Sequence, residues 1–277
     1  ISRERLNWST QFNLSFNRSE ITELGRDNAS MLFNLGSFGS MQKINKIGAP
    51  AFSFYGYQYD GVYMDQAEID EDPASPSSAT PGVGRYRDLN GDGRITAEDR
   101  TIIGNTQPDF SWGLTNTFTI GNFDVSVLLQ GVVGGEIYDD NAHRSLLYHE
   151  GRNYLEAVNN RWRSEENPGD GYQYKLTVDP SGMDLTPSSY WLSSGSYFRL
   201  KDVTVGYDFP ERYASSLGLS NARIFFNGVN LLTVSEANVF DPENFLNSNV
   251  SSPLYRGVGG SAYPTAKTYS LGLKIKF

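Results

Sequence analysis

The chain has 277 residues, a net charge of −9, 13% aromatic residues, 28 Gly and no Cys. Without Cys there is no disulfide, thiolate metal site or Cys nucleophile, and the acidic balance argues against a nucleic-acid partner, which selects a basic stripe. No run of about 18 apolar residues occurs, which excludes a transmembrane helix but not a membrane β-barrel, whose alternating strands vanish in averaged hydropathy.

Seven segments carry strand patterns. The first, 5–17, sets Trp8, Phe12, Leu14 and Phe16 on one face, and the second is expected over 50–64, from Pro50 through Phe54 and Tyr57. The link before the third holds the sharpest local signal, Asp88-Leu89-Asn90-Gly91-Asp92-Gly93-Arg94-Ile95-Thr96-Ala97-Glu98-Asp99. It fits an EF-hand-type calcium loop over 88–99. Asp88, Asn90 and Asp92 would give side-chain oxygens, Gly93 the sharp turn, Arg94 its carbonyl and Asp99 the closing carboxylate. Several oxygens crowd together there because a hard divalent cation needs them. A structural Ca2+ is therefore expected, with position 12 filled by Asp as in dockerin loops.

The third segment, 109–120, alternates Phe110, Trp112, Leu114, Phe118 and Ile120 against Ser111 and three Thr. Gly121-Asn122 is a two-residue hairpin turn, and the fourth segment, 123–136, places Phe123, Val125, Val127 and Leu129 on one face. The link 137–193 carries His143 and His149, six residues apart, which read as solvated loop histidines. Glu165-Glu166 and Asp70-Glu71-Asp72 read as solvated charge runs. No nucleophile or acid–base constellation is present, so no enzyme is expected. Loop aromatics are dense: Tyr138, Tyr148, Tyr154, Trp162, Tyr172, Tyr174, Tyr190, Trp191, Tyr255 and Tyr263. Such rings suit sugars or peptides, and equally pack long loops together or form interfacial girdles. The fifth segment is expected over 194–208 and the sixth over 221–233, joined by about a dozen residues with a short helical pattern.

The seventh, 265–277, ends the chain. Tyr269, Leu271, Leu273, Ile275 and Phe277 share one face of it, and Ser270, Gly272, Lys274 and Lys276 the other. Ser270, Gly272, Ile275 and Phe277 match the C-terminal signal by which the assembly machinery recognises outer-membrane barrels. Segments of 10–13 residues fit a tilted crossing of a bilayer. Short turns at one end and long links (65–108, 137–193, 234–264) at the other follow the outer-membrane pattern. With the C-terminus periplasmic, the long links fall outside; the 18–49 link fits badly, being long on the periplasmic side. An odd strand number cannot close such a barrel, and open edges are prohibitive in hydrocarbon. The missing strands are therefore expected upstream, and the opening Ile1-Ser2-Arg3-Glu4 reads as the start of a piece, with no signal peptide. The expected fold is all-β: 1–277 as the C-terminal part of a large transmembrane antiparallel barrel with long extracellular loops.

Put together, these segments resemble the SusC/RagA family of TonB-dependent outer-membrane transporters of Bacteroidetes. The resemblance runs nearly end to end, through Phe52–Tyr63, Arg87–Ile95, Ile103–Asn105, Phe110–Leu114, Tyr197–Tyr207, Asn227–Leu232 and Tyr263–Gly272. It implies a barrel filled by an N-terminal plug, absent from this chain, through which TonB acts. It also implies a SusD-like surface lipoprotein as lid, and uptake of oligosaccharides or peptides. Two alternatives stand beside this reading. One is a receptor of another branch or of non-uptake role. The other is a secreted calcium-stabilised β-sandwich that binds glycans.

Overall fold

In the computed structural model, the described residues are 2–3, 6–35, 41–139, 142–146, 153–176, 186–237, 239, 241–246, 252–259 and 263–277. Alternation of apolar and polar residues produces one antiparallel sheet, laid down in chain order: β1 (Ser2–Arg3), β2 (Leu6–Ser15), β3 (Phe110–Ile120), β4 (Phe123–Val133), β5 (Tyr197–Asp208), β6 (Asn221–Ser235) and β7 (Thr268–Lys276). Each strand pairs with its sequence neighbour in the sheet, so the turns at 121–122 and 209–220 lie at one end. The connections 16–109, 134–196 and 236–267 lie at the other.

The register separates two faces. Leu6, Ile120, Phe123, Tyr207, Ile224 and Leu273 form one lateral row, and Trp8, Phe118, Val125, Val205, Phe226 and Leu271 the next. On the opposite face the row is Ser9, Thr117, Ser126, Thr204, Asn227 and Ser270. Aromatic pairs stand at both ends of the apolar face: Phe16 with Phe110 and Trp112 with Phe198 toward the long connections, Phe123 with Tyr207 toward the short turns. Thr10 and Asn116 interrupt this face, and the Asn116 Oδ1 accepts from both Thr10 Oγ1 (2.7 Å) and Trp8 Nε1 (3.0 Å). On the polar face Arg223 bonds Asp124 (2.5 Å) and Asp208 (2.9 Å). It can do so because Gly206 leaves the space: a Cβ there would lie 2.1 Å from the guanidinium.

No second sheet covers the apolar face among the described residues; Leu271 is 75% and Leu273 67% exposed. A sandwich would bury that face against a second sheet, whereas here it stands open. Six of the seven expected segments form the long strands of the sheet.

The second does not. Residues 50–64 break into Ser53–Gly56 and Tyr59–Val62, neither of which joins the sheet. The first pairs with Gln42–Asn45 and Thr101–Gly104, the second with Gly84–Tyr86. The reason lies in its residues. Phe54, Tyr57 and Tyr59 are all buried, whereas a wall strand turns alternate residues toward a polar lumen. Phe52 (φ 55) and Gly61 (φ 93) also bend the chain out of extended geometry. Residues 16–109 are thus one connection at the long-loop end, and the misfit of a long 18–49 link on the short-turn side disappears. The seventh strand of the sheet is instead the two-residue β1.

The long connections build their own layer. Met31–Asn34 extends the small sheet to four strands. Glu136–Asp139 pairs with Leu192–Ser194 and, in parallel, with Val258–Gly259, which ties the second connection to the third. Most of the buried hydrophobic core sits here. Its members include Met41, Phe54, Tyr138, Tyr174 and Trp191.

Candidate functional site

Four constellations lie in or under the loop layer, apart from the membrane-assembly residues of β7. The first is the 88–99 loop. Asp88 accepts N–H bonds from Gly91 (2.7 Å) and Gly93 (2.8 Å), Asn90 Oδ1 from Asp92, and Asp92 Oδ1 from Arg94. These side-chain-to-backbone turns fold the segment, with Gly91 and Gly93 at positive φ. Asp99 is fully buried: its Oδ1 accepts from Leu89 and Asn90, and its Oδ2 from Thr96 at 2.7 Å. The Thr96 N–H bond, with those of Leu89 and Asn90, holds the Asp99 carboxyl below the usual carboxylate range although burial opposes it. Its contribution to stability is therefore complete above the ordinary carboxyl value and is lost as pH falls below it. Among the described residues no three His, Cys, Asp or Glu side chains are grouped as a metal cluster. The loop's carboxylates engage backbone N–H groups instead.

The second constellation was not foreseen from sequence. A bulge after Leu200 lets Arg199, Lys201 and Asp202 all engage partners of the polar face. Arg199, 2% exposed, donates to Asp241 (2.6 Å), Glu243 (2.5 Å) and Thr233 (3.0 Å); Lys201 also reaches Glu243 at 3.2 Å. Thr265 donates to the other Asp241 oxygen. The short helix Pro242–Leu246 is thereby fastened to the inner side of the sheet. Beside it, Asn13, Ser15, Ser111, Gln130 and Arg256 help line a cavity of about 460 Å³.

The third is Lys43. Its ammonium is fully buried, lies 4.6 Å from the centre of the Phe54 ring and donates to the Arg256 carbonyl at 2.6 Å. Burial, and then the neighbouring Arg256 charge, push its pKa down to about 7. The unfolded chain keeps a proton that the folded layer sheds between about 7 and the ordinary lysine value, so stability rises with pH across that window. Thermal melts of the detergent-purified receptor from pH 7 to pH 10 should show this rise. Lys43→Met should flatten it and raise the midpoint at pH 7; equal slopes in both proteins would refute the assignment.

The fourth is an aromatic cluster. Tyr59 touches Tyr86, Tyr172, Tyr174 and Tyr190 with ring centroids 5.0–5.8 Å apart, and Tyr190 meets Trp191 at 4.6 Å. The structure sorts the loop rings that sequence left mixed: Tyr138, Tyr174, Tyr190 and Trp191 are core, whereas Tyr154, Tyr172, Tyr255 and Tyr263 are exposed. Tyr148, His149 and the side chain of His143 lie outside the described residues.

The membrane-assembly residues sit on β7 as alternation requires. Ser270 faces Asn227, and Ile275 stands on the apolar face opposite Ala222. Gly272 pairs with Phe225, whose ring lies over it where a Cβ would come within 2.2 Å, so a larger residue would have to displace that ring. Phe277 follows the strand, 86% exposed.

No protein-family model matches the chain. It is 32% identical to TonB-dependent receptor P3 of Formosa agariphila over 282 residues, covering 100% of this chain and 27% of the receptor. It is 25% identical to TonB-dependent receptor SusC of Bacteroides thetaiotaomicron, covering 98% of this chain and 24% of SusC. The chain thus spans about a quarter of these relatives' length. Among solved structures, it superposes on the RagAB peptide transporter with a TM-score of 0.73 at 22% identity, covering 100% of this chain and 28% of that one. The same importer in its closed-closed state gives 0.71. The relatives are receptors and transporters, not enzymes.

Proposed function

We infer, because this chain belongs to the TonB-dependent receptors of the SusC/RagA kind, that it forms wall and outer loops of an outer-membrane importer of oligosaccharides or peptides. The observation that carries this reading is the sheet: one face apolar with aromatic ends, the other polar, and every long connection at the same end. In a bilayer the apolar face meets lipid and the polar face lines the lumen. The long connections then face the exterior, where a SusD-like lipoprotein would close over them, and Phe277 lies on the periplasmic side. Completion of the barrel falls to strands outside this chain, and TonB would act through a plug outside it. Ser270, Gly272, Ile275 and Phe277 would present β7 to the barrel-assembly machinery.

The 88–99 loop would hold a structural Ca2+. Asp88, Asn90 and Asp92 are already turned by the backbone bonds that such loops use, and each carboxylate, with about four lone-pair sites, keeps acceptor capacity beyond them. Arg94 would add its carbonyl, and the buried Asp99 fixes the loop's two ends together. Calcium would supply charge compensation for the acidic ring. Asp99→Ala should lower the thermal midpoint of the receptor and remove the loss of stability caused by EGTA. An unaltered response to EGTA would count against the site.

The importer reading is tested by tagging the full-length parent, purifying it in detergent from outer membranes and identifying co-purified proteins by mass spectrometry. A SusD-like lipoprotein in stoichiometric amount is expected. A soluble parent, or one recovered from outer membranes alone under mild detergent, would overturn the reading or its lid.

A further inference from the structure

Most rings of the aromatic cluster are spent on packing, but Tyr172 is not. It is 45% exposed, while its neighbours Tyr174, Tyr190 and Trp191 are buried. One side of its ring stacks on Tyr190 at 5.5 Å and 30°, and Tyr59 meets it edge-on at 5.2 Å. Its backbone is equally fixed. Asp170 Oδ1 accepts from the Tyr172 N–H (2.8 Å) and the Gln173 N–H (2.9 Å), and Gly169 and Gly171 flank the turn at positive φ. Gly169 is also pressed against the Asn160 carbonyl, where a Cβ would sit 2.1 Å away. A half-exposed ring held this firmly loses little freedom when a ligand covers it.

Tyr172 opens onto a cavity of about 260 Å³ also lined by Gln173, Tyr190, Trp191, Asp139 and Glu236. Gln173 accepts from the Tyr190 hydroxyl through its Oε1 at 2.8 Å, and its amide hydrogens make no further bond among the described residues. The lining therefore offers a flat apolar ring, an amide and the Glu236 carboxylate, and no described lining residue is basic. The volume is below the about 300–1,000 Å³ of drug-sized sites and suits one or two small rings.

Resting on the importer reading, we propose that the Tyr172 cavity is an outer-loop subsite for a neutral sugar ring of an oligosaccharide. The apolar C–H face of the sugar lies on Tyr172. Its hydroxyls donate to the Glu236 carboxylate and accept from Gln173. Carboxylates accept hydroxyl protons well, but repel uronate or sulfate groups at the same place.

The full-length receptor, purified with its lid in detergent, is applied to an array of neutral and uronic-acid oligosaccharides and basic peptides. Affinities for what it captures are then measured by calorimetry. Neutral members should bind. Tyr172→Ala should weaken them about tenfold or more, Tyr172→Phe about twofold at most, and Glu236→Gln should admit uronic-acid members. The Phe variant keeps the ring packing, so retention by Phe with loss in Ala at an unshifted melting point marks ligand contact. The proposal is overturned if no array member binds, if only uronic-acid members or peptides bind, or if Tyr172→Ala leaves affinity unmoved. A receptor that does not purify as an outer-membrane barrel overturns the importer reading itself, which the purification reports before any ligand is added.

Discussion

Arg199→Leu should detach the third long connection from the sheet and destabilise the protein by about 3–5 kcal/mol, the range for breaking one partner out of a buried ion pair. The guanidinium is 2% exposed and the Asp241 carboxylate 1%, so removing the cation strands a charge that water cannot reach. Glu243 keeps Lys201 at 3.2 Å and is 26% exposed, so it is hurt less. Asp241→Asn should cost less than Arg199→Leu, because Asn keeps an acceptor for the Arg199 fork and the cation retains Glu243. Removing both charges, as Arg199→Leu with Asp241→Leu, should recover part of the loss. Hydrogen exchange across 236–267 would read the detachment directly; protection there unchanged from wild type would refute the tether.

A charge placed on the apolar face should block assembly while the same charge one residue away does not. Val125→Arg puts a guanidinium in the row between Phe118 and Val205, on the lipid side, where a charge costs up to about 2–4 kcal/mol at the midplane and less toward the interfaces. Ser126→Arg turns it to the opposite face, beside Thr117 and Thr204, where the wall is polar. Heat-modifiable mobility of the receptor extracted from outer membranes would score folding of each. Equal loss in both variants, or loss only in Ser126→Arg, would mean that the lipid and lumen faces are assigned the wrong way round or not at all.

The wall was largely legible because its rule is binary. Segments such as 109–120 and 123–136 alternate long enough to fix strand, partner and face despite Asn116 on the apolar side and Leu128 on the polar one, and Gly121-Asn122 supplies the turn. The 50–64 segment failed because it looks like a strand and is one, twice over, yet its rings are buried all round. Alternation cannot tell a wall strand from a piece of core. The other loop strands are two to four residues long and held by partners far along the chain, such as Tyr138 with Val258, below what periodicity can register.

Of the candidate site, the turn geometry of 88–99 was readable because the spacing of Asp, Asn and Gly dictates its side-chain-to-backbone turns, with Gly91 and Gly93 at positive φ. The Arg199 network was not. It depends on a bulge and on acids more than forty residues downstream. The only signal was the odd density of charge in Arg199-Leu200-Lys201-Asp202, two of whose charges would otherwise point into lipid. Tyr172 could not be told from Tyr174, two residues away, since exposure is decided by tertiary packing and not by residue type.

The excursion 16–109 leaves the wall after Ser15 and returns at Phe110, and Ser15 is paired with Ser111. Its two ends are thus about one strand spacing apart, roughly 4.7–4.9 Å. To the wall, this whole excursion is interchangeable with a tight hairpin turn. A lineage can therefore replace the recognition surface wholesale, as one cassette, without renegotiating the register of a single membrane strand. The contacts that would need re-matching are those with the other two excursions, such as Lys43 with Arg256.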